Sequence, residues 1–165
     1  MGILVVRMER RDIQKHPHEN SGCYVIIYIL SAPTDVQVGR LGLLHFEPGA
    51  YAYVGSARRN LRKRVERHIS LEKRDRWHID YFSKKAAFQE AWCVYTEADL
   101  ECELAQHLRA SSQAEVKSFG CSDCRCTSHL LRFDQTTDFG TLCYEFSQDC
   151  RAELVVCKWG GHCRC

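Results

Sequence analysis

The spacing of apolar and polar positions changes period where the chain passes Gly55. Tyr24 to Leu30 is an unbroken apolar run dominated by β-branched and aromatic residues, and Tyr51 to Val54 is a shorter one that stops at the glycine. Both predict strands covered on both faces. Beyond Gly55, Leu61, Val65 and Ile69 recur every fourth residue and mark one stripe of a helix. At about 100° per residue, Arg64 and His68 fall within about 60° of Leu61 on that wheel, so they flank the buried stripe. Arg62, Lys63, Glu66 and Arg67 spread round the outside. An arginine and a histidine four apart, aimed toward two strand tyrosines, are placed to make a pocket.

Between the two strands, Ser31 to Asp35 reads as a turn around Pro33. Val36 to Val38 and Leu41 to Phe46 flank Gly39 as a hairpin, and Glu47-Pro48-Gly49 returns the chain. After the helix, Ser70 to Arg76 is a charged connection. Trp77 to Phe82 has an ambiguous period: a strand puts His78 and Asp80 on one face, whereas a short helix aligns His78 with Tyr81 and Phe82. His78 and Asp80 read either as pocket or nucleic-acid contacts or as a local hydrogen-bonded pair. Ala91 to Tyr95 predicts a further strand. Thr96, with Asp99 three residues on, predicts the N-cap of a helix whose stripe is Leu100, Leu104 and Leu108. Glu101 falls inside that stripe's arc and Glu103 to one side, and a carboxylate on an apolar face is costly unless something pairs with it.

At 165 residues the chain fits one α/β (α+β) domain, a small mixed sheet flanked by helices. Residues 21–133 form the core domain, 1–20 a peripheral segment, and 134–165 a Cys-rich extension in which Leu154 to Cys157 suggests a strand. Charge is unevenly spread: Arg58 to Arg67 carries six basic residues and one acidic, a surplus of five in a chain whose net charge is only +2. Such a patch beside a pocket suits a phosphate backbone, and a solvated helix face is the alternative. No secretory leader, spanning run or myristoylation pattern is visible, so a soluble, cytoplasmic protein with no membrane partner is expected.

Eleven cysteines with an odd count and no leader favour reduced thiols or metal ligation over disulfides. Cys121, Cys124, Cys126 and His129 offer a Cys3His set that suits zinc. Their crowding favours the alternative of reduced packing cysteines. The tail adds Cys143, Cys150, Cys157, Cys163 and Cys165 with His162, in no recognisable motif.

Gly22-Cys23-Tyr24 on one strand, Tyr53-Val54-Gly55 on another and Arg64 on the following helix together resemble the GIY-YIG nuclease superfamily. His68 stands where that family often has a second polar helix residue. The gap between the triplets is longer than usual, and the added hairpin accounts for it. A closer likeness is to a small stand-alone branch with no assigned role, through Tyr53-Val54-Gly55-Ser56-Ala57, Trp77-His78-Ile79-Asp80-Tyr81, and Ser122-Asp123-Cys124 leading to Ser128-His129-Leu130. The resemblance runs from about Gly22 to Phe133 and favours a helix at Trp77 to Phe82.

What the resemblance implies is a metal-dependent endonuclease that hydrolyses or nicks DNA, with RNA left open. A bare nuclease core lacks an obvious specificity domain, so a partner-bound accessory subunit whose protein partner supplies specificity is a third functional class. Tyr24 would be the general base, Tyr53 its hydrogen-bonding companion, Arg64 the phosphate clamp, and His68 an onward proton acceptor. Glu101 matches the family's single glutamate ligand for Mg²⁺ or Mn²⁺, and a plain ion pair with Arg64 is the alternative. Arg58, Arg59, Arg62, Lys63, Arg67 and His78 would hold nucleic acid. A tyrosine is an odd base, since only about one in a thousand is ionised at neutral pH, and a nearby arginine and cation would favour the phenolate. The family usually offers a lysine or another polar residue just after its Tyr-x-Gly, and Ser56 supplies no charge there. A catalytically silent nucleic-acid-binding module, possibly zinc-stabilised, is the second functional class.

Overall fold

Strand β1 (Gly22–Leu30) sends alternate side chains into two separate cores. Tyr24, Ile26 and Tyr28 enter one cluster, while Cys23, Val25 and Ile27 enter the other, all of them buried. That two-sided burial explains why the strand reads as continuously apolar instead of alternating. The computed structural model describes residues 21–150, together with the backbone of 153–155. The expectations for residues 1–20, and for Cys157, His162, Cys163 and Cys165, lie outside the described residues.

After β1 come β2 (Thr34–Gln37), a single 3-10 turn (Gly39–Leu41) and β3 (Leu43–Phe46), then β4 (Gly49–Ala57) and α1 (Leu61–Ile69). Next follow α2 (His78–Phe82), β5 (Ala87–Tyr95), α3 (Glu101–Arg109), β6 (Ala114–Glu115), β7 (Leu130–Phe133), α4 (Phe139–Cys150) and β8 (Glu153–Val155). The main sheet is six-stranded, in the order β6-β7-β4-β1-β5-β8, and β2 with β3 forms the separate hairpin expected around Gly39. Every pairing in the main sheet is antiparallel, not the mixed sheet expected. The connection through α1 and α2 carries the chain from β4 across to the far side of β1, so β4 and β5 run the same way but each meets the oppositely directed β1 between them.

Leu61 and Val65 of α1 and Ile79 and Phe82 of α2 pack on the tyrosine face of the sheet. Leu104 and Leu108 of α3 and Phe139, Cys143 and Phe146 of α4 pack on the opposite face. Residues 139–150 thus share the core with β1 and β4. The short-helix reading of Trp77 to Phe82 holds, because Asp80 accepts hydrogen bonds from the backbone N–H groups of Arg76 and Trp77 and so closes the helix start. Thr96 does not cap α3: its hydroxyl accepts from Ala98 N–H at 3.0 Å, making a local turn, and the helix begins at Glu101. No helix among the described residues is long and apolar enough to cross a membrane.

Candidate functional site

The central pair β1 and β4 sets the site. Their register places Tyr24 opposite Gly55, and a side chain at Gly55 would meet the Tyr24 hydroxyl at 2.3 Å. Only a glycine lets the phenol lie flat across the neighbouring strand. Gly22 answers a similar demand: its φ is +152°, and a Cβ there would meet the Val94 carbonyl oxygen at 2.1 Å. Both motif glycines are therefore fixed by close backbone approach.

Tyr24 and Tyr53 lie on the same face, with ring centroids 6.4 Å apart. Both point toward α1, where His68, 1 % exposed, sits between them at 5.5 and 5.6 Å. His68 Nε2 lies 2.9 Å from the Tyr24 hydroxyl. Burial pushes both phenols well above the ordinary tyrosine value, and the Arg64 guanidinium only partly offsets it. Arg64 does favour the phenolate, as expected, but desolvation outweighs this one exposed guanidinium and both phenols stay protonated. Burial likewise lowers His68 to about 3, so the imidazole is neutral and accepts the Tyr24 proton at Nε2. The Nδ1 proton then faces Asp80, 3.9 Å away, and has no hydrogen-bond partner.

Asp80 is fully buried and anchors this corner. Arg67 donates to its two oxygens at 3.1 and 3.0 Å, and Lys73 Nζ lies 3.5 Å away. Burial alone would raise this carboxyl, but the hydrogen bonds from Arg67 and then from the Trp77 and Arg76 backbone hold it below the usual range. Arg67 therefore folds back against the protein instead of facing outward as the helical wheel suggested, and it also donates to the Arg74 carbonyl. Its guanidinium lies 4.2 Å from the Trp77 ring centre, with those of Arg76 and Arg64 at 5.2 and 5.3 Å. His78 and Asp80 do not pair with each other: His78 Nδ1 accepts from Gly120 N–H. Arg58, Arg59, Arg62, Lys63 and Arg64 are exposed.

Glu101 arrives from the opposite layer as the first residue of α3. Its Oε2 accepts the Ser56 hydroxyl and its Oε1 lies 2.8 Å from His129 Nδ1. These are its partners, so the simple ion pair with Arg64 is not formed; Arg64 instead donates to the Ser56 carbonyl at 3.2 Å. Burial would raise the Glu101 carboxyl, yet the His129 imidazole 2.8 Å away and the Ser56 hydroxyl lower it on balance; the His129 contact is close but off the hydrogen-bonding line of Nδ1. It is ionised at neutral pH. Ser56, which carries no charge, connects the carboxylate to the arginine.

One cleft of about 270 Å³ is lined by Tyr24, Tyr53, Arg64, His68 and Glu101 together. All five residues expected to converge do so. Ser56, Arg76, Trp77, His78, Ser122 and Asp123 also line it, and of these the sequence singled out only His78 for this pocket. Glu101 and Asp123 are the carboxylates on that lining. A hard divalent cation such as Mg²⁺ or Mn²⁺ needs only one or two protein carboxylates, the rest of its shell being water and phosphate oxygen, and these two are the residues on the lining that could hold one.

A second cluster lies behind Glu101. Cys102, Cys124, Cys126 and His129 hold their ligand atoms within 4.8 Å of one another, a geometry able to bind a metal ion. Cys121, expected as a ligand from its spacing, is not among them and is replaced by Cys102 from α3. Its carbonyl is instead engaged by Cys124, accepting from that residue's backbone N–H at 3.4 Å. Cys23 and Cys143 are buried packing residues.

Fold and site together define an α+β domain with an antiparallel sheet, a polar cleft at the end of its central strands, and a thiol–imidazole cluster beside it. The chain belongs to the family described as a domain of unknown function, DUF123, whose model matches residues 23–152. Neither the curated proteins nor the solved structures include a match.

Proposed function

We propose that this chain is a metal-dependent endonuclease of GIY-YIG type that hydrolyses phosphodiester bonds in DNA. The observation that carries the reading is the hydrogen bond between Tyr24 and His68 inside a cleft that also holds Arg64 and Glu101. A phenol, a neutral imidazole, a guanidinium and an ionised carboxylate converging on one hollow are the groups that in-line attack on a phosphate requires.

The pairing resolves the difficulty of a tyrosine base. No free phenolate is needed, because Tyr24 takes a proton from the attacking water as it passes its own to His68 Nε2. Both transfers run along one hydrogen-bonded line. The Asp80 carboxylate, 3.9 Å from Nδ1, faces the imidazolium so formed. The negative charge of a phosphate in the cleft favours that cation further. Arg64 holds a non-bridging oxygen, and Tyr53 orients the water or the Tyr24 hydroxyl. Glu101 would hold a divalent cation, which when bound would supply charge stabilisation for the leaving sugar oxygen. The exposed run Arg58, Arg59, Arg62 and Lys63 gives the backbone of the nucleic acid a basic approach.

For the second cluster we assign zinc, since three thiolates and an imidazole are a tetrahedral structural set for that ion. The test of the main reading is incubation of supercoiled plasmid with Mg²⁺ or Mn²⁺, alongside a fluorescence-anisotropy measurement of DNA binding. Nicking that EDTA abolishes is the expected result. Binding without nicking would instead select a catalytically silent nucleic-acid-binding module.

A further inference from the structure

Two adjacent residues at the start of α3 serve two different clusters. Glu101 lines the cleft, and the next residue, Cys102, joins Cys124 and Cys126. His129 stands between them, with Nδ1 2.8 Å from Glu101 Oε1 and Nε2 3.5 Å from Cys124 Sγ. The ring is 1 % exposed, so neither nitrogen is turned to solvent. A sulfur and a nitrogen bound to one zinc at about 2.3 and 2.1 Å in a tetrahedron sit about 3.6 Å apart, close to the spacing already present. The imidazole thus offers Nε2 to a metal while Nδ1 meets a carboxylate.

We infer that the Cys102, Cys124, Cys126 and His129 site binds zinc and that Glu101 is the outer carboxylate of a carboxylate–histidine–zinc triad, which makes this metal the positioning element of the cleft. The inference rests on the nuclease reading only for the role of Glu101 in chemistry. Such outer carboxylates fix the tautomer and tilt of a ligating histidine and raise its basicity. The coupling is mutual. A bound zinc would hold His129 and, through Cys102, the first turn of α3, and so fix the Glu101 carboxylate from two directions. Ser56 supplies the third, from β4. The loop containing Cys124 and Cys126 also bears Ser122 and Asp123 on the cleft wall, so the same ion would set that wall. Glu101 is a positioning residue toward zinc and a ligand toward the hydrolytic cation, and the two roles use different readouts.

The experiment takes the full chain, purified without a metal-chelating tag, and measures zinc by mass spectrometry and zinc affinity by competition with a chromogenic chelator. One zinc per chain is expected. Cobalt substitution should give the thiolate charge-transfer band of a tetrahedral site with three sulfurs, a readout that needs no variant to fold. Glu101→Ala should still bind one zinc at saturation, but 10- to 100-fold more weakly. Cys121→Ser should match wild type, and Cys102→Ser should lose affinity. A zinc-free wild-type protein that gives no tetrahedral cobalt spectrum would overturn the site. Glu101→Ala with wild-type zinc affinity would overturn the triad while leaving the site. None of these measurements involves DNA, so failure to nick plasmid would count against the nuclease reading alone.

Discussion

The Tyr24 hydroxyl and His68 Nε2, from the first strand of the sheet and the last turn of α1, are 2.9 Å apart and both side chains are buried. Neither group is charged at rest, since burial raises the phenol and lowers the imidazole. A proton can therefore move between them without either one first becoming an isolated buried ion. That is the property a tyrosine needs to act as a base near neutral pH.

Replacing Tyr24 by phenylalanine should separate chemistry from binding. The ring still fills its place against β4, but the proton route is cut, and nicking should fall by a factor on the order of 10²–10⁴ with DNA affinity unchanged. His68 Nε2 is left buried and unpartnered, which should cost about 1–3 kcal/mol in denaturant unfolding. A variant that nicks at the wild-type rate would remove Tyr24 from the mechanism.

Stability should fall on mild acidification. His68 is faced by Tyr24 of β1, Tyr53 of β4, Arg64 and Arg67 on its own helix, Lys73 in the following connection, and Asp80 and Trp77 at α2. Burial lowers it from 6.5 to about 3, so on acidification the unfolded chain takes up the proton first. The stabilisation is complete above about pH 6.5 and is lost as pH falls toward 3, at up to about 1.4 kcal/mol per pH unit. Urea midpoints at pH 7 and pH 5 read this loss above the range where the Asp80 and Glu101 carboxyls protonate. His68→Gln should flatten the difference, and an equally steep fall in that variant would assign it to another group.

Asp80 should matter to the fold more than any other carboxylate near the cleft. Removing it in Asp80→Ala leaves Arg67 and the Lys73 side chain, which is almost wholly buried, without their buried counter-charge, and the loss should be about 3–5 kcal/mol. Arg67→Ala, which abandons a fully buried carboxylate, should cost a similar amount. Thermal melts of the two variants and of the pair test this. A double variant no less stable than either single one is the outcome expected of partners in one network.

Gly55→Ala is the smallest change that should disable the site. The added methyl overlaps the Tyr24 phenol, so the ring must move away from His68. Overpacking of this kind costs about 1–3 kcal/mol. Nicking should fall with it, and a crystal structure or tyrosine fluorescence should report the displaced ring.

The two central strands are legible as unbroken β-branched and aromatic runs, and α1 from Leu61, Val65 and Ile69 recurring every fourth residue. The converging residues are legible because Arg64 and His68 fall beside the buried stripe that packs over the tyrosines. Glu101 is legible as a carboxylate on an apolar arc that needs a partner. The identity of the partner is not, because His129 is brought up by a loop far along the chain. The same limit hides Cys102: ligand spacing read along one segment points to Cys121, whereas the cluster draws its fourth donor from a helix in another layer. Arg67 looks exposed on a wheel because a wheel contains no Asp80. Thr96 has the residue pattern of a cap, yet its hydroxyl closes a turn one step before the helix. The antiparallel sheet is hidden for a related reason, since pairing direction is decided by how strands meet and leaves no period along any one of them.

The most direct measurement is the single-turnover nicking rate of supercoiled plasmid in Mg²⁺ for the wild-type chain and for Arg64→Ala. Arg64 is exposed and its substitution leaves the buried Tyr24–His68–Asp80 corner intact, so the comparison isolates the phosphate clamp. A loss on the order of a hundred- to a thousandfold is predicted. Equal rates for the two proteins would contradict the assignment of this cleft to phosphodiester hydrolysis.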